Sequence, residues 1–148
     1  MVITFFGHAK NTYTKNDEER LYKLIEKVAE GNMVDFFLGG YGNFDSLAKK
    51  CVKKYKETHT DTKTVFVTPY LNKWLDDRKV YIEKEYDEVL YPELEQTPLK
   101  YAITKRNEWM IEQADYIIFY VQNHFGGAYS ALTYAIKINK PYTNLYLG

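Results

Sequence analysis

The chain has 148 residues and balances 20 basic against 20 acidic side chains, so overall charge draws it neither to nucleic acid nor to a membrane surface. That length is expected to make one domain, residues 1–148, with a proper core and no room for a second. The one cysteine, Cys51, excludes an internal disulfide and suits a reducing, cytoplasmic setting; Met1–Phe6 is too short for a signal peptide, and no apolar run nears the roughly 20 residues of a membrane helix.

Val2–Phe6 is a β-branched and aromatic run ending at Gly7-His8, the first expected strand. A helix follows, with Asn16 or Asp17 as its cap and Leu21, Leu24, Ile25, Val28 and Ala29 on one face; Gly31 and Asn32 stop it. Val34–Leu38 is the second strand and closes on Gly39-Gly40-Tyr41-Gly42. The next helix, with Asn43 or Asp45 as cap, carries the stripe Phe44, Leu47, Ala48, Cys51, Val52 and Tyr55. Its other face holds Lys49, Lys50, Lys53, Lys54 and Lys56, which reads first as a solvated face and only secondarily as a nucleic-acid patch.

Thr64–Thr68 is the third strand, ending at Pro69-Tyr70. Residues 70–86 lack clean periodicity and read as a long connection with some helical character, a binding loop in which Tyr70 and Trp74 are ligand-facing candidates. Asp87–Tyr91 is a weaker fourth strand, followed by a helix from about Leu99 to Ala114. Tyr116–Val121 is a continuous apolar run, as a strand covered on both faces requires. Gly126-Gly127 then opens a helix over Ala128–Asn139 with Ala128, Ala131, Leu132, Ala135 and Ile136 inward, and Tyr142–Leu147 is the final strand.

This alternation predicts an α/β fold: a single-domain, Rossmann-like three-layer sandwich with a mostly parallel sheet and helices on both faces. Right-handed crossovers bring Gly7-His8, Gly39–Asn43, Thr68–Tyr70, Tyr91–Glu93 and Asn123–Ser130 to one edge of that sheet, where open α/β sheets bind ligands. The two glycine turns are read as halves of one site. At each, backbone amides can approach a ligand, and Gly126, Gly127 and Ala128 begin a helix whose positive end suits a phosphate.

Arg106 falls on the expected buried stripe of its helix, with Leu99, Ala102, Ile103, Met110 and Ala114. A buried charge needs a partner, either an ion pair with Asp115 or Glu95 or an anion at the sheet edge. Asp45 either caps its helix or accepts hydrogen bonds from a ribose; Ser130 either caps or offers a hydroxyl to phosphate. His8 follows the first strand directly, as a loop hydrogen-bonder or a catalytic group. Glu93 and Glu95 are acid or base candidates that nothing ranks. His59, His124 and Cys51 show no ligand spacing, so neither a metal nor another cofactor is expected. The 15 Tyr, 8 Phe and 2 Trp pack the core or, at Tyr41, Tyr70 or Tyr129, stack on a planar base.

Arg106-Asn-x-x-Met110 and Ala114-Asp115, then a hydrophobic strand and Gly126-Gly127, resemble the SLOG superfamily of Rossmann-like domains. That superfamily includes the Lonely Guy phosphoribohydrolases and DprA-like DNA-uptake proteins. With Phe6-Gly7-His8 and the Gly-Gly-Tyr-Gly-x-Phe-Asp45 turn, the chain looks most like the small YpsA-like members of the DUF1273 type. The resemblance implies a nucleotide-binding domain in which Arg106 and the glycine pair match the phosphoribohydrolase pattern. Phe125 stands for the proline of that pattern, Tyr129 for its third glycine, Ser130 for its threonine, and Thr133 for its catalytic glutamate.

Loss of the glutamate favours binding over hydrolysis. Some SLOG domains of bacterial defence proteins bind ADP-ribose-type signals, so the first expectation is a module that senses or sequesters such a ligand. Gly7, His8, Gly39, Gly40, Tyr41, Asn43, Asp45, Pro69, Tyr70, Arg106, Gly126, Gly127, Ala128, Tyr129 and Ser130 are its candidate contacts. The alternative is an enzyme, an N-glycosidic hydrolase or deoxyribosyltransferase, drawing on Glu93, Glu95 or Asp45 with His8 as helper. General nucleic-acid or membrane binding is not expected. A homodimer is implied by SLOG relatives that self-associate.

Overall fold

Strand runs that are apolar on both faces end up between two helix layers, and this is how the chain is built. The structure is a computed structural model that describes residues 1–146. Its strands are β1 (Val2–Gly7), β2 (Asp35–Leu38), β3 (Lys63–Val67), β4 (Glu88–Leu90), β5 (Tyr116–Tyr120) and β6 (Tyr142–Asn144). They form one six-stranded sheet in the order β4-β3-β2-β1-β5-β6. Every pairing is parallel, so the sheet is wholly rather than mostly parallel over the described residues. Of the expected last strand, Leu147 lies outside the described residues.

Helices α1 (Lys15–Ala29), α2 (Asn43–Thr58), α3 (Lys73–Asp77) and α4 (Lys79–Glu85) precede β4; α5 (Ala102–Gln113) and α6 (Gly127–Lys137) flank β5. Alternation along each strand sends side chains to two cores. Ile3, Phe5, Phe36, Leu38, Phe66 and Ile118 pack under α1 and α2 with Leu21, Ile25, Phe44 and Val52. Phe6, Phe37, Val65, Val67, Ile117 and Phe119 pack against α5 and α6 with Met110, Ile111, Ala131 and Ala135. Each such buried Ile, Leu or Phe contributes roughly 1.5–3 kcal/mol.

Several local readings are corrected. Helix α1 is capped by Thr14, not Asn16 or Asp17: the Thr14 side chain accepts from the Asp17 amide while the Asp17 carboxylate accepts from the Thr14 amide. Neither Asn43 nor Asp45 caps α2, whose N-cap is Gly42 with no side-chain hydrogen bond. Residues 70–86 hold two short helices, and Trp74 lies on the core with its ring stacked on Phe66. A 3₁₀ turn at Leu99–Tyr101 precedes α5 and takes Leu99 off the helical stripe; within α5 Ala102, Arg106, Met110 and Ile111 are buried, as is Ala114 at its end, whereas Ile103 is half exposed. Ile136 is likewise exposed on α6. The lysines of α2 lie on its outer side, Lys50 and Lys54 exposed and Lys49, Lys53 and Lys56 partly buried. Lys49 and Lys53 pair with Glu85, Lys50 with Glu18 and Lys56 with Asp87, and Lys54 lies over the Tyr22 ring.

Candidate functional site

The chain steps from β1 outward through β2, β3 and β4, then returns to place β5 on the other side of β1. After β1 it leaves toward α1 and after β5 toward α6, which lie on opposite faces. The loops therefore part above this switch point and open a cleft of about 420 Å³. Gly7 and His8 from β1, Gly39, Tyr41 and Asp45 from the first glycine turn, Arg106 from α5, and Gly126, Gly127 and Ala128 from the second turn all line it. Arg106 and Gly127, far apart in sequence, thus share one concavity.

The floor is fixed by backbone groups that find side-chain partners. The amides of Gln122 and Asn123 both donate to His8 Nε2, at 2.9 and 3.0 Å. Just before them, the Val121 amide donates to Asn144 Oδ1, and Asn144 Nδ2 returns a bond to the Val121 carbonyl. His8 is therefore the loop hydrogen-bonder, and burial lowers its pKa below the usual value. Beyond Asn123 such pinning stops. The amides of Gly127, Ala128 and Tyr129, at the start of α6, have no partner among the described residues. Gly126, the N-cap, sits at φ 90° and ψ 178°, a conformation nearly restricted to glycine. Gly42 takes almost the same shape before α2, at φ 94° and ψ 171°.

Arg106 is 6% exposed. Its Nη1 donates to the Val67 and Gly39 carbonyls at 2.7 and 3.3 Å, and its Nε donates to Asn107 Oδ1 at 2.9 Å. Nη2 makes no hydrogen bond within the described residues, and no carboxylate of those residues lies within 4.0 Å of the guanidinium. Neither ion-pair partner considered from the sequence reaches it: Asp115 accepts from the Val2 amide, and Glu95 is exposed. The nearby acid is Asp45. Its Oδ2 accepts from the Tyr41 amide at 3.0 Å, and Oδ2 and Arg106 Nη2 each stand about 3.3–3.4 Å from where a Cβ on Gly39 would be. Burial pushes the Asp45 carboxyl up to about 6, against the opposing pull of the Tyr41 amide and Arg106. The arrangement can hold an anion between a guanidinium and free helix amides, with a titratable carboxyl beside it.

Other sequence candidates fall elsewhere. Gly40 is turned against the Phe66 ring, and Asn43 borders a neighbouring groove, donating to the Asn11 carbonyl. Pro69 is buried, and Tyr70 packs edge-on against Trp74; neither lines the cleft. Tyr129 leans on His124, and the Ser130 amide makes the first turn's bond to the Gly126 carbonyl. Glu93 and Glu95 are exposed beyond the edge strand β4, away from the cleft. Unforeseen wall residues are Lys10 and Asn11, which continue the loop after His8, with Ile103, Asn107 and Phe125. Their positions beside Gly7-His8, Arg106 and Gly126 were the available signal.

No protein-family model matches the chain. It is 26% identical over 145 residues to the uncharacterized SPbeta prophage-derived protein YoqJ of Bacillus subtilis strain 168, covering 86% of this chain and 85% of the relative. Its fold is similar to DNA processing protein A from Helicobacter pylori, with a TM-score of 0.66, 20% identity and 96% of this chain covered. DprA from Streptococcus pneumoniae follows with a TM-score of 0.62, 16% identity and 95% coverage. The chain spans only 63% and 48% of those two proteins. The fold is thus a DprA-like Rossmann-like one, as expected. The H. pylori structure concerns a single-stranded DNA binding mode, which partly conflicts with the expectation of no general nucleic-acid binding. No helix among the described residues is long and apolar enough to cross a membrane.

Proposed function

On a chain with this DprA-like fold, we propose that the switch-point cleft binds a nucleotide or nucleotide-derived ligand, such as an ADP-ribose derivative, to sense or sequester it. The carrying observation is Arg106, a buried guanidinium with a free Nη2 and no ion pair, in the same cleft as the open start of α6. Its Nε and Nη1 are held by three acceptors and Asp45 lies within Coulombic reach, which leaves Nη2 available to a further anion. The amides of Gly127, Ala128 and Tyr129 supply the complementary donors for phosphate. Asp45 faces the same space and suits a ribose hydroxyl. The lysines of α2 are already engaged by acids and a tyrosine ring, which supports a compact ligand over general duplex binding.

The test is thermal unfolding with a panel of nucleoside mono- and diphosphates, ADP-ribose and a short single-stranded oligonucleotide. A ligand at about 100 times its Kd adds roughly 2.7 kcal/mol, hence a rise of several degrees, and Arg106→Ala should abolish it. Shifts confined to the oligonucleotide would move the reading toward single-stranded DNA, and no shift with any member would sink it. The chain is also inferred to be a cytoplasmic single domain of the YpsA-like SLOG type that pairs as a homodimer; light scattering checks the pairing.

One observation favours a second reading. Asp45, pushed up to about 6 inside the cleft, is placed to exchange a proton near neutral pH, as N-glycosidic hydrolysis or deoxyribosyl transfer needs. Release of free base from nucleoside monophosphates, lost in Asp45→Asn, would establish it; intact substrate after long incubation removes it.

A further inference from the structure

Most rings near the cleft are occupied by other protein atoms. Tyr13 packs against Phe44 and Tyr120, Phe6 stacks on Phe119, and Tyr129 leans on His124. Two are not. Tyr41 is 76% exposed and Phe125 is 72% exposed, although both line the cleft. A single bare apolar side chain is ordinary, and Val80 and Leu99 are at least as exposed as Phe125; what sets Phe125 and Tyr41 apart is that both stand on the walls of one cleft. Ile103 adds a third exposed apolar side chain to the same walls.

The location is specific. Phe125 immediately precedes Gly126, and Tyr41 belongs to the turn whose amide holds Asp45, so the bare rings stand beside the anion-binding wall rather than on a remote surface. A cleft of about 420 Å³ lies in the range that takes a small organic ligand, and a lone phosphate would leave most of it empty. Charge on one wall with aromatic surface next to it matches a molecule that joins a phosphate to a planar ring.

Resting on the phosphate reading above, we propose that Tyr41 and Phe125 receive the base of the ligand, making the cleft selective for nucleotides over sugar phosphates. Stacking uses the π-face that every base has, so purines and pyrimidines both bind, purines ahead through their larger surface.

Calorimetric titration with AMP and ribose 5-phosphate, which share the anion and differ in the base, tests this. AMP should bind the native chain roughly ten- to a hundred-fold more tightly, the range that base stacking supplies. Phe125→Ala and Tyr41→Ala should each reduce that preference and together erase it, leaving ribose 5-phosphate affinity and the melting temperature unchanged; Phe125→Tyr should retain it. Arg106→Ala should weaken both ligands. Equal binding of the two, with both lost in Arg106→Ala, overturns the base assignment and leaves the phosphate reading standing. Binding of neither overturns both. A concentration-dependent dimer that excludes AMP and is dissolved by the double alanine variant would assign the rings to a second copy and overturn the proposal.

Discussion

The two glycine turns are alike in backbone and opposite in surroundings. Gly42 and Gly126 hold nearly the same left-handed geometry, each as an N-cap without a side-chain bond. Around the first turn the protein fills the space: a Cβ on Gly42 would meet Ala9 atoms at 2.6 Å, and one on Gly40 would run into the Phe66 ring. Around the second, a Cβ on Gly126 or Gly127 would meet nothing within 4 Å. By contrast, α1 closes its own start with the Thr14–Asp17 box. One motif therefore serves two ends. In the first turn, glycine admits neighbouring protein; in the second, it keeps helix amides accessible.

Substitutions on the filled side should cost stability, and those on the open side should cost binding. Phe44→Ala should have the largest effect, about 3–5 kcal/mol in urea unfolding, because its ring is fully buried against Gly7 and Tyr13. Gly42→Ala comes next at roughly 1–3 kcal/mol, from a backbone shape that side chains resist plus the encounter with Ala9; a loss under about 0.5 kcal/mol would mean that the first turn is as loose as the second.

Asp45 gives a smaller, pH-dependent difference. Its folded value of about 6 lies above the usual 3.8, so the folded state holds its proton more firmly, and stability falls as pH rises from 3.8 through 6. Asp45→Asn should therefore raise stability above pH 6 by about 1 kcal/mol, a modest figure because Asp45 keeps some exposure at the cleft wall, and should change nothing near pH 3.5. Smallest of all, Gly127→Ala should leave unfolding within about 0.5 kcal/mol of the parent while reducing the AMP-induced rise in melting temperature. An equal AMP response in both proteins would show that the open amides are not used.

The strands were legible because Tyr-Ile-Ile-Phe-Tyr and Phe-Phe-Leu are apolar on both faces, and the switch-point cleft followed from their order. Gly7, Gly39 and Gly126 were legible for the same reason, since strand ends fix where such residues come together, and Arg106 because it falls on the buried face of its helix. Side-chain direction in irregular segments was not. Within residues 70–86, Trp74 turned onto the core and Tyr70 packed edge-on against it, and the 3₁₀ turn took Leu99 off the stripe, while Ile103, inside α5, sits at the exposed border of its buried face. Thr14 outdid Asn16 as a cap because capping depends on an extended backbone at one residue, which composition does not reveal. Phe125 read only as a departure from a family pattern until its exposure marked it.

The lone pair that His8 lends to Gln122 and Asn123 has a consequence for acid. A ring nitrogen that accepts from two amides cannot carry a hydrogen, so the proton of neutral His8 resides on Nδ1, and the ring is unsuited to shuttle protons for a substrate. Charging it would set donor against donors. Because its folded pKa is lowered from 6.5, that latch weakens as pH falls below 6.5, and it lies only a few residues ahead of Gly126. Mild acid should then unfasten the second turn before the sheet itself loosens, visible as faster hydrogen exchange at the 122 and 123 amides than at those of β5.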